Sequence, residues 1–455
     1  MPLETPNAGK APDADVPAAV AACTDQQLAL LEQSMTDTLT KASADFDFTL
    51  MLESADGRSY RHSEGASTGA SLYESASTSK LVTAVVILWL VDRDLLTLDS
   101  QPQDFISFWA PEPANPASEM TLRHLLSFTS GFMTEPPLEM TPCLRNNTFE
   151  GCVQRIYELN VGNNIQPGSE FYYSSTHLQI AGLMAIEAGG YDGWAELFDD
   201  FKSQTGLFGH SAYNLPSPEN PRLAGGMTWT GEDYLGFLRA LYAGEVLSPA
   251  TRSELWADQR GTATVAYSPA LAGLGEDWHY ALGNWVESET STVYVPVGRN
   301  SSPGAYGAYP FMDFQNDYFG ILATQDTIFQ NGIALFRTVQ ATAAKWATKS
   351  CTEYKVYGFF LLATGAFFLH GFMHLGQAVP LRRYVPAVVS SALIAIPYGL
   401  ILYWRLIREG IVDVPGLLIY FLVAIVLTIP FILVMHKLGE YLYKTAMRFL
   451  ALDPR

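Results

Sequence analysis

Ser77 and Lys80 stand three residues apart in the stretch Ser75-Ala76-Ser77-Thr78-Ser79-Lys80, and one helical turn brings such a pair to the same face. A serine hydroxyl is a weak nucleophile unless a neighbouring base takes its proton. A lysine amine serves as that base when it is unprotonated, and burial beside the positive end of a helix favours the neutral form. The chemistry on offer is attack on a carbonyl carbon through a covalent acyl intermediate. The same residues also read as a helix cap followed by a lysine whose head reaches solvent, and so short a pattern does not decide between the two.

The residues that must position this pair follow at once. Residues 81–92 lack proline and glycine and are apolar on nearly every side, which predicts a buried central helix. The Ser/Thr cluster before it predicts a side-chain N-cap. Upstream, residues 25–41 have helical apolar spacing, residues 46–52 alternate like a strand, and Gly57 marks a turn. A helix and a strand ahead of the Ser77 helix imply a sheet with helices packed on it.

Three further stretches carry a resemblance. Residues 120–132, MTLRHLLSFTSGF, form a short amphipathic helix with a glycine stop. They resemble the TIRHLLSHTSGL element of the serine β-lactamase-like family, which comprises class C β-lactamases, DD-peptidases and related esterases. Arg123 and His124 are read as structural. Residues 167–182, PGSEFYYSSTHLQIAG, resemble PGxxFxYSNxxYxLLG, and the match places the family's catalytic tyrosine on Tyr173. A phenol beside a lysine can share the general-base role; an ordinary core tyrosine is the other reading. The family's asparagine falls on Ser175, a shorter group without the amide's two donors. Residues 223–235 resemble AGGLxSTAxDYxxF and are read as scaffold.

The family's third motif is K-T-G or H-x-G, and Ser302-Pro303-Gly304 stands in its place. Gly304 matches, while Ser302 replaces a cation that helps relatives bind a substrate carboxylate. By the resemblance, the oxyanion donors are the N–H groups of Ser77 and Ala305, and Ser175, Ser302 and Gly304 bind substrate. Backbone donors do not depend on the missing cation. The expected substrates are therefore small esters or peptides, with short neutral acyl esters favoured over penicillins and D-Ala-D-Ala peptides. No paired carboxylates, phosphate-cradling glycine loop or metal cluster competes, and neither cofactor nor metal is expected in this domain.

Composition supplies the rest. The chain holds 46 acidic and 27 basic residues, which argues against a nucleic-acid partner. The last hundred residues nevertheless carry eight cations against four carboxylates. Within them, residues 357–376, 385–404 and 417–435 are apolar runs near 20 residues, the length that crosses a bilayer. Arg382, Arg383, Lys437, Lys444, Arg448 and Arg455 place that side in the cytoplasm and the Ser77 domain outside. Cys143 and Cys152 bracket a short loop. Cys23 and Cys351 lie at the two ends of the soluble part, and in the fold the resemblance implies, the first and last helices lie side by side. An even count so placed fits disulfides in an oxidising compartment. An exported domain conflicts with the absence of a signal-like N-terminus, so the displayed start is read as processed or trimmed. His370 and His374 are four apart, as are His436 and Glu440; such spacing suits a metal or haem ligand pair, with interfacial histidines bonded to carbonyls as the alternative.

The expected architecture is α+β: a disordered lead over 1–24, an antiparallel sheet flanked by helices over 25–352, and a bundle of three transmembrane helices over 353–455. The expected function is a multi-pass, membrane-anchored serine hydrolase with Ser77, Lys80 and Tyr173 as its catalytic residues. Two alternatives stand beside it. One is an inactive domain that binds a cell-wall peptide or acyl ligand and signals through the spans. The other is an enzyme whose chemistry lies in the membrane part.

Overall fold

The structure, a computed structural model, describes residues 23–42, 44–133, 148–290, 294–326 and 328–350. Beyond these it describes 361, 364–365, 368, 372, 393, 396–408, 414, 416–426, 437–438 and 441–442. The chain forms two compact units, Thr24–Lys349 and the pairing of Met1–Cys23 with Ser350–Arg455. The lead over 1–22 lies outside the described residues.

In the larger unit a seven-stranded sheet runs Ser59–Glu64, Phe48–Ser54, Tyr318–Thr324, Tyr309–Asp313, Pro296–Ser301, Trp285–Ser288, His279–Tyr280. Every neighbouring pair is antiparallel, so the α+β reading holds. Phe48–Ser54 and Tyr318–Thr324 are buried along nearly their whole length, as strands covered on both faces must be. Helices Asp25–Lys41 and Phe329–Thr348 pack together on one side, and Trp346 Nε1 donates to Glu32 Oε1 at 2.8 Å across that contact.

The helix Ser79–Val91 is buried at every position from Ser79 to Leu90, in keeping with its apolar sequence. The expected N-cap does not form. Thr78 and Ser79 spend their hydroxyls on the carbonyls of Ser75, Ala76 and Leu223, and a single 3₁₀ turn, Ala76–Thr78, leads into the helix instead. Local back-bonding by Ser and Thr competes with capping in this way. The helix expected over 120–132 is shorter too, Leu122–Leu126. Phe128 takes a left-handed φ of 61°, a conformation that no helix continues through.

Among the described residues no helix is long and apolar enough to cross a membrane, and much of the three apolar runs lies outside those residues. In the smaller unit the helix Ile396–Arg408 buries Tyr403 and Leu406 in a cluster with Leu361 and Leu417. Its Tyr398, Leu400, Ile401 and Trp404 are exposed. Cys23 and Cys152 are buried and neither is a free thiol; the partners expected for them, Cys351 and Cys143, lie outside the described residues. So do His370, His374, His436 and Glu440.

Candidate active site

Ser77 sits in the middle of the 3₁₀ turn Ala76–Thr78. The turn is pinned from behind: Ser75 N–H donates to the Met227 carbonyl at 2.7 Å, and Met227 N–H to Ser75 Oγ at 3.0 Å. Ala76 pays in backbone strain for the sharp entry, with φ 41°. One turn on, Lys80 is 3% exposed. Its Nζ lies 2.8 Å from Ser77 Oγ and 2.9 Å from the Ala224 carbonyl oxygen. The three-residue spacing thus becomes a direct hydroxyl–amine contact.

Tyr173 follows the short strand Glu170–Tyr172, and its N–H donates to the Tyr267 carbonyl at 3.1 Å. Its ring stacks on Trp285 at 5.0 Å and meets Phe128 and Tyr280 edge-on. Lys80 Nζ lies 4.8 Å from the centre of that ring. A residue the sequence reading passed over fixes this arrangement. His177 is fully buried, and Nε2 can only donate to the Tyr172 carbonyl, 2.9 Å away. Nδ1 therefore accepts from Ser130 Oγ at 2.9 Å. Burial, reinforced by the nearby Lys80, lowers the imidazole pKa to about 4 and keeps it neutral. The available signal was a histidine four residues after Tyr173 on the buried helix Thr176–Gly189.

The third wall comes from the end of strand Pro296–Ser301. Ser302 is buried, and its hydroxyl donates to the Ser77 carbonyl at 3.3 Å. Ser302 is not among the residues that line the cavity. Behind it stands Tyr234, which donates to the Thr78 carbonyl at 2.8 Å. Burial first, and then Tyr213, raise the Tyr234 pKa well above the ordinary phenol value, so it stays a donor. Its place in a stretch read as scaffold hid it. Gly304 passes so close to the nucleophile turn that a Cβ would lie 2.8 Å from the Ser75 oxygen. Ala305 follows, exposed at the rim.

Ser77, Lys80, Tyr173, Ser175, Gly304 and Ala305 all line one cavity of about 250 Å³. Its remaining walls are largely apolar, from Tyr267, Trp278, Trp285, Pro303 and Phe329. Lys80 is the one basic side chain among the described lining residues. Arg123 and His124 lie elsewhere: Arg123 pairs with Glu254 and Gln259, and His124 closes a capping box with Thr121. Among the described residues no group of three or more His, Cys, Asp or Glu side chains is placed to hold a metal.

Comparison with known proteins agrees with this geometry. A penicillin-binding protein 4 from Amycolatopsis lactamdurans is 29% identical over 182 residues. That stretch spans 40% of this chain and 45% of the relative, so less than half of the relative's length is matched. A putative β-lactamase from Bacteroides dorei DSM 17855 shares 26% identity with a TM-score of 0.57, covering 68% of this chain and 97% of that one. EstCE1, a hydrolase with promiscuous acyltransferase activity, shares the fold at 17% identity and a TM-score of 0.56, over 71% of this chain and 99% of its own. The beta-lactamase family profile matches residues 19–344. With Ser77 and Lys80 in contact at the head of a buried helix and the antiparallel sheet beside them, the chain belongs to the beta-lactamase family.

Proposed function

We propose that the protein is a membrane-anchored serine hydrolase that cleaves neutral esters, and the amides that resemble them, through an acyl group on Ser77. The observation that carries the reading is the 2.8 Å contact between Lys80 Nζ and Ser77 Oγ inside a cavity. Ser77 Oγ attacks the carbonyl carbon while its proton passes to the unprotonated Lys80 amine. The carbonyl oxygen becomes an oxyanion held by the N–H groups of Ser77 and Ala305. As the tetrahedral adduct collapses, the proton moves by way of Lys80 and Tyr173 to the leaving oxygen or nitrogen, and the acyl group stays on Ser77. Water then attacks the acyl carbon, gives a proton to the same base, and Ser77 leaves as its hydroxyl. Ser175 and Gly304 border the acyl group.

The neutral-substrate preference rests on position 302, where a serine that gives its hydroxyl to the Ser77 carbonyl stands in place of the family's cation. Membrane anchoring with the Ser77 domain outside rests on the three apolar runs, the flanking arginines and the exposed apolar side chains of Ile396–Arg408. In this reading Cys23 pairs with Cys351 and Cys143 with Cys152.

Labelling with a fluorophosphonate, followed by peptide mapping, tests the nucleophile: phosphorus should bond to Ser77 Oγ with loss of fluoride. Full labelling of Ser77→Ala at the wild-type rate would sink the mechanism, and absence of any adduct would favour the inactive, ligand-binding alternative.

A further inference from the structure

Two surface segments meet at the mouth of the cavity. Tyr267, Pro269 and Ala270 line it from the entry to the helix Pro269–Leu274, and Phe329 lines it from the start of Phe329–Thr348. The segments are in contact: a Cβ on Gly273 would lie 2.7 Å from Phe329 Cζ, and Gln330 Nε2 donates to the Gly273 carbonyl at 3.5 Å. Next to these lining residues the chain places Leu271 and Ile328. Leu271 is 39% exposed, Ile328 50% and Tyr267 38%. Single exposed apolar side chains need no explanation, but several gathered beside a reactive cavity mark a binding surface.

The cavity itself is small. About 250 Å³ falls just below the range of ordinary ligand pockets, enough for the ester group and its immediate neighbours. A larger substrate must continue outside it, and Tyr267, Leu271, Ile328 and Phe329 offer apolar surface where it would emerge. We infer that the substrate is an ester bearing an extended apolar chain, which lies along this lip while its carbonyl meets Ser77. The inference rests on the Ser77 reading and lengthens the substrate assigned there.

The test uses the full-length chain and two series of monomeric esters: p-nitrophenyl acetate, butanoate, hexanoate and octanoate, and acetates of alcohols of the same lengths. In at least one series kcat/KM should climb about tenfold or more from the shortest to the longest member, as added methylenes leave water. In Leu271→Asp and Ile328→Asp the ratio of long-chain to short-chain kcat/KM should fall severalfold, a readout internal to each protein and insensitive to its folded fraction. Flat series, or a ratio unmoved in both variants, would overturn the lip while Ser77-dependent hydrolysis of acetate left the nucleophile in place. Absence of Ser77-dependent hydrolysis from every ester would overturn the nucleophile reading itself.

Discussion

Two buried basic side chains in the larger unit are treated differently by their surroundings. Arg299, on strand Pro296–Ser301, faces Glu287 at 3.2 Å and Asp313 at 3.1 Å, and all three side chains are almost wholly buried. Tyr309 donates to Glu287 at 2.6 Å and closes the group. Burial alone would depress the Arg299 pKa, but Tyr309 and Glu287, with Tyr318 and Asp313, raise it instead. Lys80 instead meets a hydroxyl, a carbonyl oxygen and the face of a ring. A guanidinium between carboxylates is a permanent charge, whereas a lysine amine can give up and retake a proton. Arg299 holds strands together through Glu287 and Asp313; Lys80 is placed to exchange protons with Ser77.

The largest expected effect breaks the Lys80 side of the contrast. Lys80→Ala should lower kcat/KM for a neutral ester by about two to four orders of magnitude. Lys80→Arg should lose as much, because a guanidinium keeps the charge but cannot act as the base. Steady-state rates near wild type in Lys80→Arg would return Lys80 to a purely electrostatic role.

Next comes the scaffold. Arg299→Met leaves two carboxylates buried without their counter-ion, and breaking a buried pair costs about 3–5 kcal/mol. The urea midpoint should fall accordingly, while the pH dependence of kcat in the surviving folded protein should keep its shape. A shifted pH profile at unchanged stability would erase the distinction between Arg299 and Lys80.

His177 sharpens it with a third kind of buried group, one kept neutral. Its folded pKa of about 4 lies below the ordinary 6.5. As pH falls below 6.5 the unfolded imidazole takes up a proton first, so stability is complete above about pH 6.5 and drains away towards pH 4. At most about 3 kcal/mol is involved. His177→Gln should flatten that part of the stability–pH curve. A variant whose curve parallels wild type between pH 7 and 4 would show that His177 does not carry the dependence.

The smallest effect concerns selectivity. A charge-assisted hydrogen bond to a substrate carboxylate is worth roughly ten- to a hundredfold in kcat/KM, and Ser302 supplies none. A neutral ester should therefore surpass a carboxylate-bearing penicillin by about tenfold or more. The reverse order, measured on one preparation, would mean that another group binds the carboxylate.

Which parts were legible follows from sequence distance. Ser77 and Lys80 are joined by one turn, so spacing put them on one face, and the resemblance chose the catalytic reading over a capped helix. Tyr173, Gly304 and Ala305 were found by resemblance, because each lies in a stretch with its own local pattern. His177, Tyr234 and Arg299 act through partners on other elements, such as Tyr234 on Thr78 and Arg299 on Glu287. Period and composition record burial at such positions but not the partner. The cavity walls are of the same kind, since Tyr267, Trp278, Trp285 and Phe329 come from four separate elements or their flanks. The missing cap before Ser79 failed for the opposite reason: Thr78 and Ser79 had the right chemistry, and nearer carbonyls claimed it.

Gly304 sets a rule for how this chain can diversify. A side chain there would press on the Ser75 oxygen at 2.8 Å and on Thr78 Cγ2 at 3.0 Å, so the strand end is welded to the turn that carries the nucleophile. Descendants of this sequence can experiment at 271 or 328, where the side chains are exposed. At 304 a single added methyl would move the reacting serine. Lineages should drift in what they cleave long before they drift in how they cleave it.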